Sequence, residues 1–143
     1  MKKPRYKPDD FLEFCRCKKR KIVALAWKNL NLVAYGVNHG MNEECSCVVG
    51  VRTPNCIHAE DMLFGGTDKD VYHDCVIEIN WFPCDYGCAD KIIEHKIKAV
   101  CWTDGKHFEA IDKLQNAGIE CFYGSYEQYL NRSGEVEHVK CEH

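Results

Sequence analysis

Two apolar runs, KIVALAWK at 21–28 and NLVAYGVN at 31–38, flank Asn29-Leu30 and predict an antiparallel hairpin. Ahead of them, 9–20 has helical character, with Asp9 or Asp10 as its N-cap. Positions 39–57 are polar, carry Gly40, Gly50 and Pro54, and read as a long connection interrupted at most by the short strand CVVGV at 47–51. From 58 onward the rhythm changes. HAEDMLF (58–64) reads as a short helix closed by Gly65-Gly66, and DCVIEIN (74–80) alternates as a strand does. CDYGCADKIIEHK (84–96) fits a helix with Pro83 at its first position, and IKAVCW (97–102) is a strand. HFEAIDKLQNAG (107–118) is an amphipathic helix stopped by Gly118; IECFYG (119–124) is a strand, and YEQYL (126–130) adds a last helical turn. Helices that alternate with strands after an opening hairpin predict a layered α/β domain with a five-stranded mixed sheet.

Composition narrows the class. The chain has 143 residues, 45% of them apolar and 29% charged, which suits one globular domain spanning 1–143. The net charge of −3 gives no general nucleic-acid signal. Positive charge is local, at Lys2, Lys3, Arg5 and Lys7 and again at Lys18, Lys19, Arg20 and Lys21, and such runs are ordinarily solvated. No apolar run approaches the roughly 18 residues of a membrane span, and no apolar stretch follows the basic start as in a signal peptide. Eleven cysteines, an odd number with no export signal, read as reduced thiols in a cytoplasmic protein, some in the core and some on a metal. Cys75, Cys101 and Cys121 lie within apolar strands and read as small core residues.

Two helix starts hold ligand chemistry: His58-Ala59-Glu60, and Pro83-Cys84 with Cys88. One imidazole and two thiolates suit Zn²⁺ and leave its fourth tetrahedral position open to water, the mark of a catalytic site. A helix N-terminus favours thiolate over thiol. Cys84 and Cys88 are four apart, which is about 40° around a helix, so both reach one ion from one face. Glu60 beside a metal-activated water is a proton carrier. The set H-x-E followed by P-C-x-x-C is that of zinc deaminases, here HAE at 58–60 and PCDYGC at 83–88, with one extra residue between the cysteines.

On these residues the chain resembles the cytidine and deoxycytidylate deaminase superfamily, from about Asp10 to Gly124. RKIVALAWKNLNLVAYGVN is similar to that family's first hairpin, with Gly36 and Asn38 at its end, and IKAVCWTD and LQNAGIECF resemble the strands and helix that close its sheet. His58 in place of cysteine, and Phe82 before Pro83-Cys84, resemble the deoxycytidylate branch. The tail at 131–143 reads as flexible from its terminal position; the resemblance implies a three-layer α/β/α fold with a core at about 10–124 and a homo-oligomer. It also implies zinc on His58, Cys84 and Cys88, with Glu60 as catalytic residue and Asn38 on the sugar. Arg52, ahead of His58, ranks first among phosphate-binding donors, before Arg20, Lys21 and Lys106. Trp81 and Trp102 either wall the base pocket or pack the core, the latter being favoured.

The implied function is zinc-dependent deamination of dCMP to dUMP and ammonia, with a small nucleotide as substrate and no membrane or nucleic-acid partner expected. The alternative is a cytosine or adenine deaminase of single-stranded DNA or RNA, which needs a basic groove with aromatic platforms. A third reading, a zinc-stabilised binding module, is disfavoured by the intact Glu60. A second, structural zinc would draw on Cys45, Cys47 and Cys56 first, then on Cys15, Cys17, His138, Cys141 or His143.

Overall fold

Asn29 adopts a left-handed conformation, φ 57°, and with Leu30 turns strand β1 (Val23–Lys28) into β2 (Asn31–Val37). The computed structural model describes residues 3–14, 21–37, 39–40, 56–57, 63–64, 69–81, 88–105 and 108–132. The hairpin register runs from Val23 opposite Val37 to Lys28 opposite Asn31, with a shift between Ala26 and Trp27. A two-residue ladder follows, β3 (His39–Gly40) antiparallel to β4 (Cys56–Ile57). Then come β5 (Val76–Ile79), α1 (Cys88–Glu94), β6 (Ala99–Trp102), α2 (Phe108–Asn116), β7 (Glu120–Tyr123) and α3 (Tyr126–Leu130). The main sheet has the order β2-β1-β5-β6-β7. β1 is antiparallel to both neighbours, while β5, β6 and β7 are parallel to one another. The five-stranded mixed sheet expected from the sequence is therefore present.

Elements cover both faces, which gives three layers. Ala24, Ile77, Ile79, Val100 and Trp102 face Leu63, Phe64, Ala89 and Ile92 of α1, and Leu114 of α2. Val23, Leu25, Trp27, Val76 and Cys101 face Phe11 and the α3 residues Tyr126 and Tyr129. Strand β5 alternates in sequence, yet all four of its residues are buried, because a central strand under two helical layers has no wet face.

The polar member of β5, Glu78, lies in a cross-strand row with Leu25 and Cys101. It is 2% exposed. Trp27 Nε1 donates to one carboxylate oxygen at 3.0 Å and the Tyr126 backbone N–H to the other at 2.9 Å. Glu78 thus joins the sheet to the start of α3, whose Ser125 and Gln128 form a reciprocal capping box. Burial pushes the Glu78 carboxyl above the ordinary glutamate range; the two donated hydrogen bonds oppose this, and Asp9 adds to it. A carboxyl whose folded pKa is raised adds stability below its unfolded pKa and loses it as pH rises through the folded value. The stability advantage of wild type over Glu78→Gln should be largest at acid pH and shrink as pH rises. Urea denaturation of both proteins across a pH series measures this, and a salt-bridged carboxylate would give the opposite slope.

One expectation needs correction: within 9–20 the described part of the helix is 3₁₀, over Pro8–Phe14, and not α-helical. The Asp10 N–H donates to the Lys7 carbonyl while the Asp10 carboxylate accepts the Lys7 N–H, both at 3.0 Å. That closes tight i to i+3 turns, and the segment seats mainly Phe11 on the sheet. Residues 15–20 lie outside the described residues. A second 3₁₀ helix, Lys69–Tyr72, has no periodic signal and was not expected. Strand 47–51, the greater part of helix 58–64 and the tail from 133 also fall outside the described residues.

Candidate active site at one end of the sheet

Strand directions bring several strand ends together at one end of the sheet. Ile79, Trp102 and Tyr123 form the last cross-strand row of the parallel strands, and Ile79 also pairs with Ala24 at the start of β1. Val23 in turn pairs with Val37, the last residue of β2. The exits of β2, β5, β6 and β7 and the entry of β1 are therefore together. The carboxyl edge of parallel strands, where connections diverge, is where α/β folds place their ligands.

Asn80 fixes this edge. Its Oδ1 accepts the Val23 N–H at 2.7 Å, its Nδ2 donates to the Lys21 carbonyl at 2.9 Å, and its N–H donates to the Val23 carbonyl at 3.3 Å. The side chain extends the ladder where the strand ends. The sequence reading passed over Asn80; an asparagine at a strand terminus just ahead of a metal-type motif is the signal that marks it.

The candidate site residues relate to this edge through their neighbours. Cys88 is the first residue of α1, which the β5 edge feeds. α1 seats on the sheet through Ala89 and Ile92, and Asp90 pairs with Lys113 of α2 at 3.4 Å, an exposed pair worth little. Asn38 follows Val37 directly, between β2 and β3. His58 follows Ile57, whose Cα partner is His39, so the positions beside Asn38 and His58 are paired. That ladder, unread in the sequence because two residues carry no period, brings the two chain segments to one place. Asn38, Arg52, His58, Glu60 and Cys84, and the Cys88 side chain, lie outside the described residues, as do the candidate second-zinc residues other than Cys56, whose backbone alone is described, in β4.

Among the phosphate-binding candidates, Lys21 is described: it is exposed, and its carbonyl is held by Asn80 at the edge of the site. Arg20, Arg52 and Lys106 are not among the described residues. Trp102 is 1% exposed, packs in the core and donates its Nε1 to the Gly105 carbonyl at 2.8 Å; Trp81 is half-buried against the same core. Both play the core role favoured from the sequence. Cys75, Cys101 and Cys121 are buried free thiols. Burial pushes all three pKa values up, Cys121 to about 12, so they stay protonated and are poor metal ligands. Among the described residues no group of three or more His, Cys, Asp or Glu side chains is placed to hold a metal, and no helix is long and apolar enough to cross a membrane.

Comparison with solved structures decides the fold. The dCMP deaminase from the cyanophage S-TIM5 in complex with dCMP and dUMP superposes with a TM-score of 0.68 at 24% identity, over 80% of this chain and 88% of that one. Its apo form gives 0.64 at 22% identity, over 82% and 90%. The chain has the deaminase fold. A bifunctional deaminase and reductase of Thermotoga maritima, named for diaminohydroxyphosphoribosylaminopyrimidine deamination, matches with a TM-score of 0.57 at 23% identity, over 81% of this chain but 33% of that one. No family model matches the chain, and no curated protein matches it by sequence. The three-layer deaminase fold implied by HAE and PCDYGC is thus present.

Proposed function

We propose that this chain is a zinc-dependent hydrolytic deaminase of a cytosine deoxynucleotide, converting dCMP to dUMP and ammonia. The observation that carries the reading is positional: Cys88 opens α1 at the carboxyl edge of β5, in a chain whose fold matches a deaminase crystallised with dCMP and dUMP. The donor set fits the metal. An imidazole from His58 and thiolates from Cys84 and Cys88 would hold zinc with one position left for water. Zinc, when bound, lowers the pKa of that water toward neutrality. Glu60 would take one proton from the water to the ring N3, where it stays in the product, and then the second, from the new hydroxyl on C4, to the amine that leaves. Water is consumed, the C4–N bond breaks, a C4–O bond forms, and no electrons are exchanged. Asn38 orients the sugar, and Arg52 with Lys21 meets the phosphate through charge-assisted hydrogen bonds.

The test is a panel of dCMP, dCTP, deoxycytidine, CMP and single-stranded oligonucleotides with base-specific product analysis. dCMP is expected to exceed deoxycytidine in kcat/KM by at least roughly two orders of magnitude, because donors left unpaired by the nucleoside reject it. Arg52→Ala and Lys21→Ala should raise KM for dCMP and leave deoxycytidine turnover nearly unchanged. Equal efficiency on dCMP and deoxycytidine overturns the nucleotide assignment. A second reading, deamination within single-stranded nucleic acid, is favoured by one observation. The first 21 residues hold nine Lys and Arg against three Asp and Glu, and there Tyr6 and Phe14, with Tyr35 of β2, expose their rings. Turnover of an oligonucleotide in the panel would select it.

A further inference from the structure

His95 is a buried histidine that the proposed mechanism does not use, 5% exposed at the end of α1. Its backbone N–H donates to the Lys91 carbonyl at 3.1 Å, and its ring Nδ1 lies 2.7 Å from the same oxygen. A carbonyl only accepts, so Nδ1 carries the proton, and the imidazole is fixed to the helix that it terminates. Beyond it, Lys96 turns left-handed at φ 56° and the helix cannot continue. The imidazole face stacks on Phe64, with centroids 4.2 Å apart and planes at 18°. Tyr72 meets both rings edge-on, Phe64 at 5.0 Å and 82°, His95 at 5.5 Å and 84°. Tyr72 Oη donates to the Leu63 carbonyl at 2.5 Å.

A continuous set of contacts thus runs from the Leu63 backbone through Tyr72 and Phe64 to His95 and the Lys91 carbonyl. Its ends belong to the two segments that carry the candidate metal ligands. Phe64 stands six residues after His58 and four after Glu60. His95 stands seven after Cys88, about 10 Å along a helix axis. We infer that the His95–Tyr72–Phe64 cluster sets the spacing between these segments, which makes His95 a positioning residue for the metal and not a ligand of it. A leucine would fill the same space; a histidine adds a polar edge that locks the ring's direction to α1 while its face grips Phe64. The inference rests on the zinc reading above.

The test measures zinc affinity of the full-length protein by competition with a chromogenic chelator, and the visible absorption of its cobalt(II)-substituted form. His95→Ala should weaken zinc binding by roughly threefold or more, less than the roughly 10–100-fold of groups bonded directly to the ligands, and should alter the cobalt spectrum. Tyr129→Ala, in the core on the opposite face of the sheet, serves as the control. It should lower the urea midpoint of the apo protein and leave metal affinity and spectrum in place. Tyr72→Phe, which removes only the bond to Leu63, is the milder variant should His95→Ala fail to fold, and should shift the spectrum in the same direction. Unchanged affinity in the cluster variants, or an equal loss in Tyr129→Ala, overturns the inference and leaves the zinc site standing. A wild-type chain that takes up no zinc removes the zinc reading itself, and the inference with it.

Discussion

Glu60→Ala is expected to keep its fold and its zinc while losing about 10²–10⁴-fold in turnover, the span attributable to one general acid–base group. The two halves of that result come from one argument. Glu60 is not among the proposed ligands, so its removal leaves one nitrogen and two sulfurs on the ion. On the proposed mechanism turnover falls because nothing else in the H-x-E segment could carry a proton: Ala59 is inert, and His58 would be committed to the metal through its lone pair. Glu60→Gln should behave alike, being similar in size but unable to ionise. Zinc content by mass spectrometry, circular dichroism and a dCMP assay on one preparation decide the matter. Near-normal rates in either variant would remove Glu60 from the chemistry.

Cys84→Ala and Cys88→Ala should each lose the metal and part of the stability. Binding energy at such a site is also folding energy, because the unfolded chain holds no assembled ligand set. Zinc present at about 100 times its Kd contributes about 2.7 kcal/mol, and this is what each variant forfeits. The measurement is the denaturation midpoint with and without a chelator. Chelator should lower the midpoint of wild type and leave those of the two variants where they were. A wild-type midpoint that ignores the chelator would place both cysteines elsewhere than on zinc.

Much of the architecture was legible because its signals are long. The runs at 21–28 and 31–38 and the segments from 74 to 124 carry enough period to separate strand from helix, and Gly118 marks the end of α2, with φ 85°. Short features escaped for the same reason. The β3–β4 ladder spans two residues a side, and the 3₁₀ turns at Lys69–Tyr72 satisfy their bonds locally without an apolar stripe. Asp9-Asp10 was legible as a start signal, but not as the start of a 3₁₀ rather than an α-helix, since Lys7 and Asp10 settle that between themselves. At the candidate site the residue types of His58, Glu60, Cys84 and Cys88 speak for themselves in the sequence. Asn80 and His95 are less plain: only its place ahead of PCDYGC marks Asn80, and His95 becomes visible once Phe64 is seen against it.

The junction of Glu78 with α3 bears on how the chain is made. Tyr126 stacks on Trp27 at 4.9 Å, and its hydroxyl donates to the Asn29 carbonyl, a partner 97 positions away. The β1–β2 hairpin is therefore finished by a helix made 97 positions later. Until residues 126–130 emerge, Trp27 lacks its stacking partner, and the Glu78 carboxylate, an obligatory acceptor, faces water where a roof will later stand. Contacts of such separation delay folding, since a long loop must close before they form. Nascent chains of this protein should therefore stay open on that face of the sheet until α3 arrives.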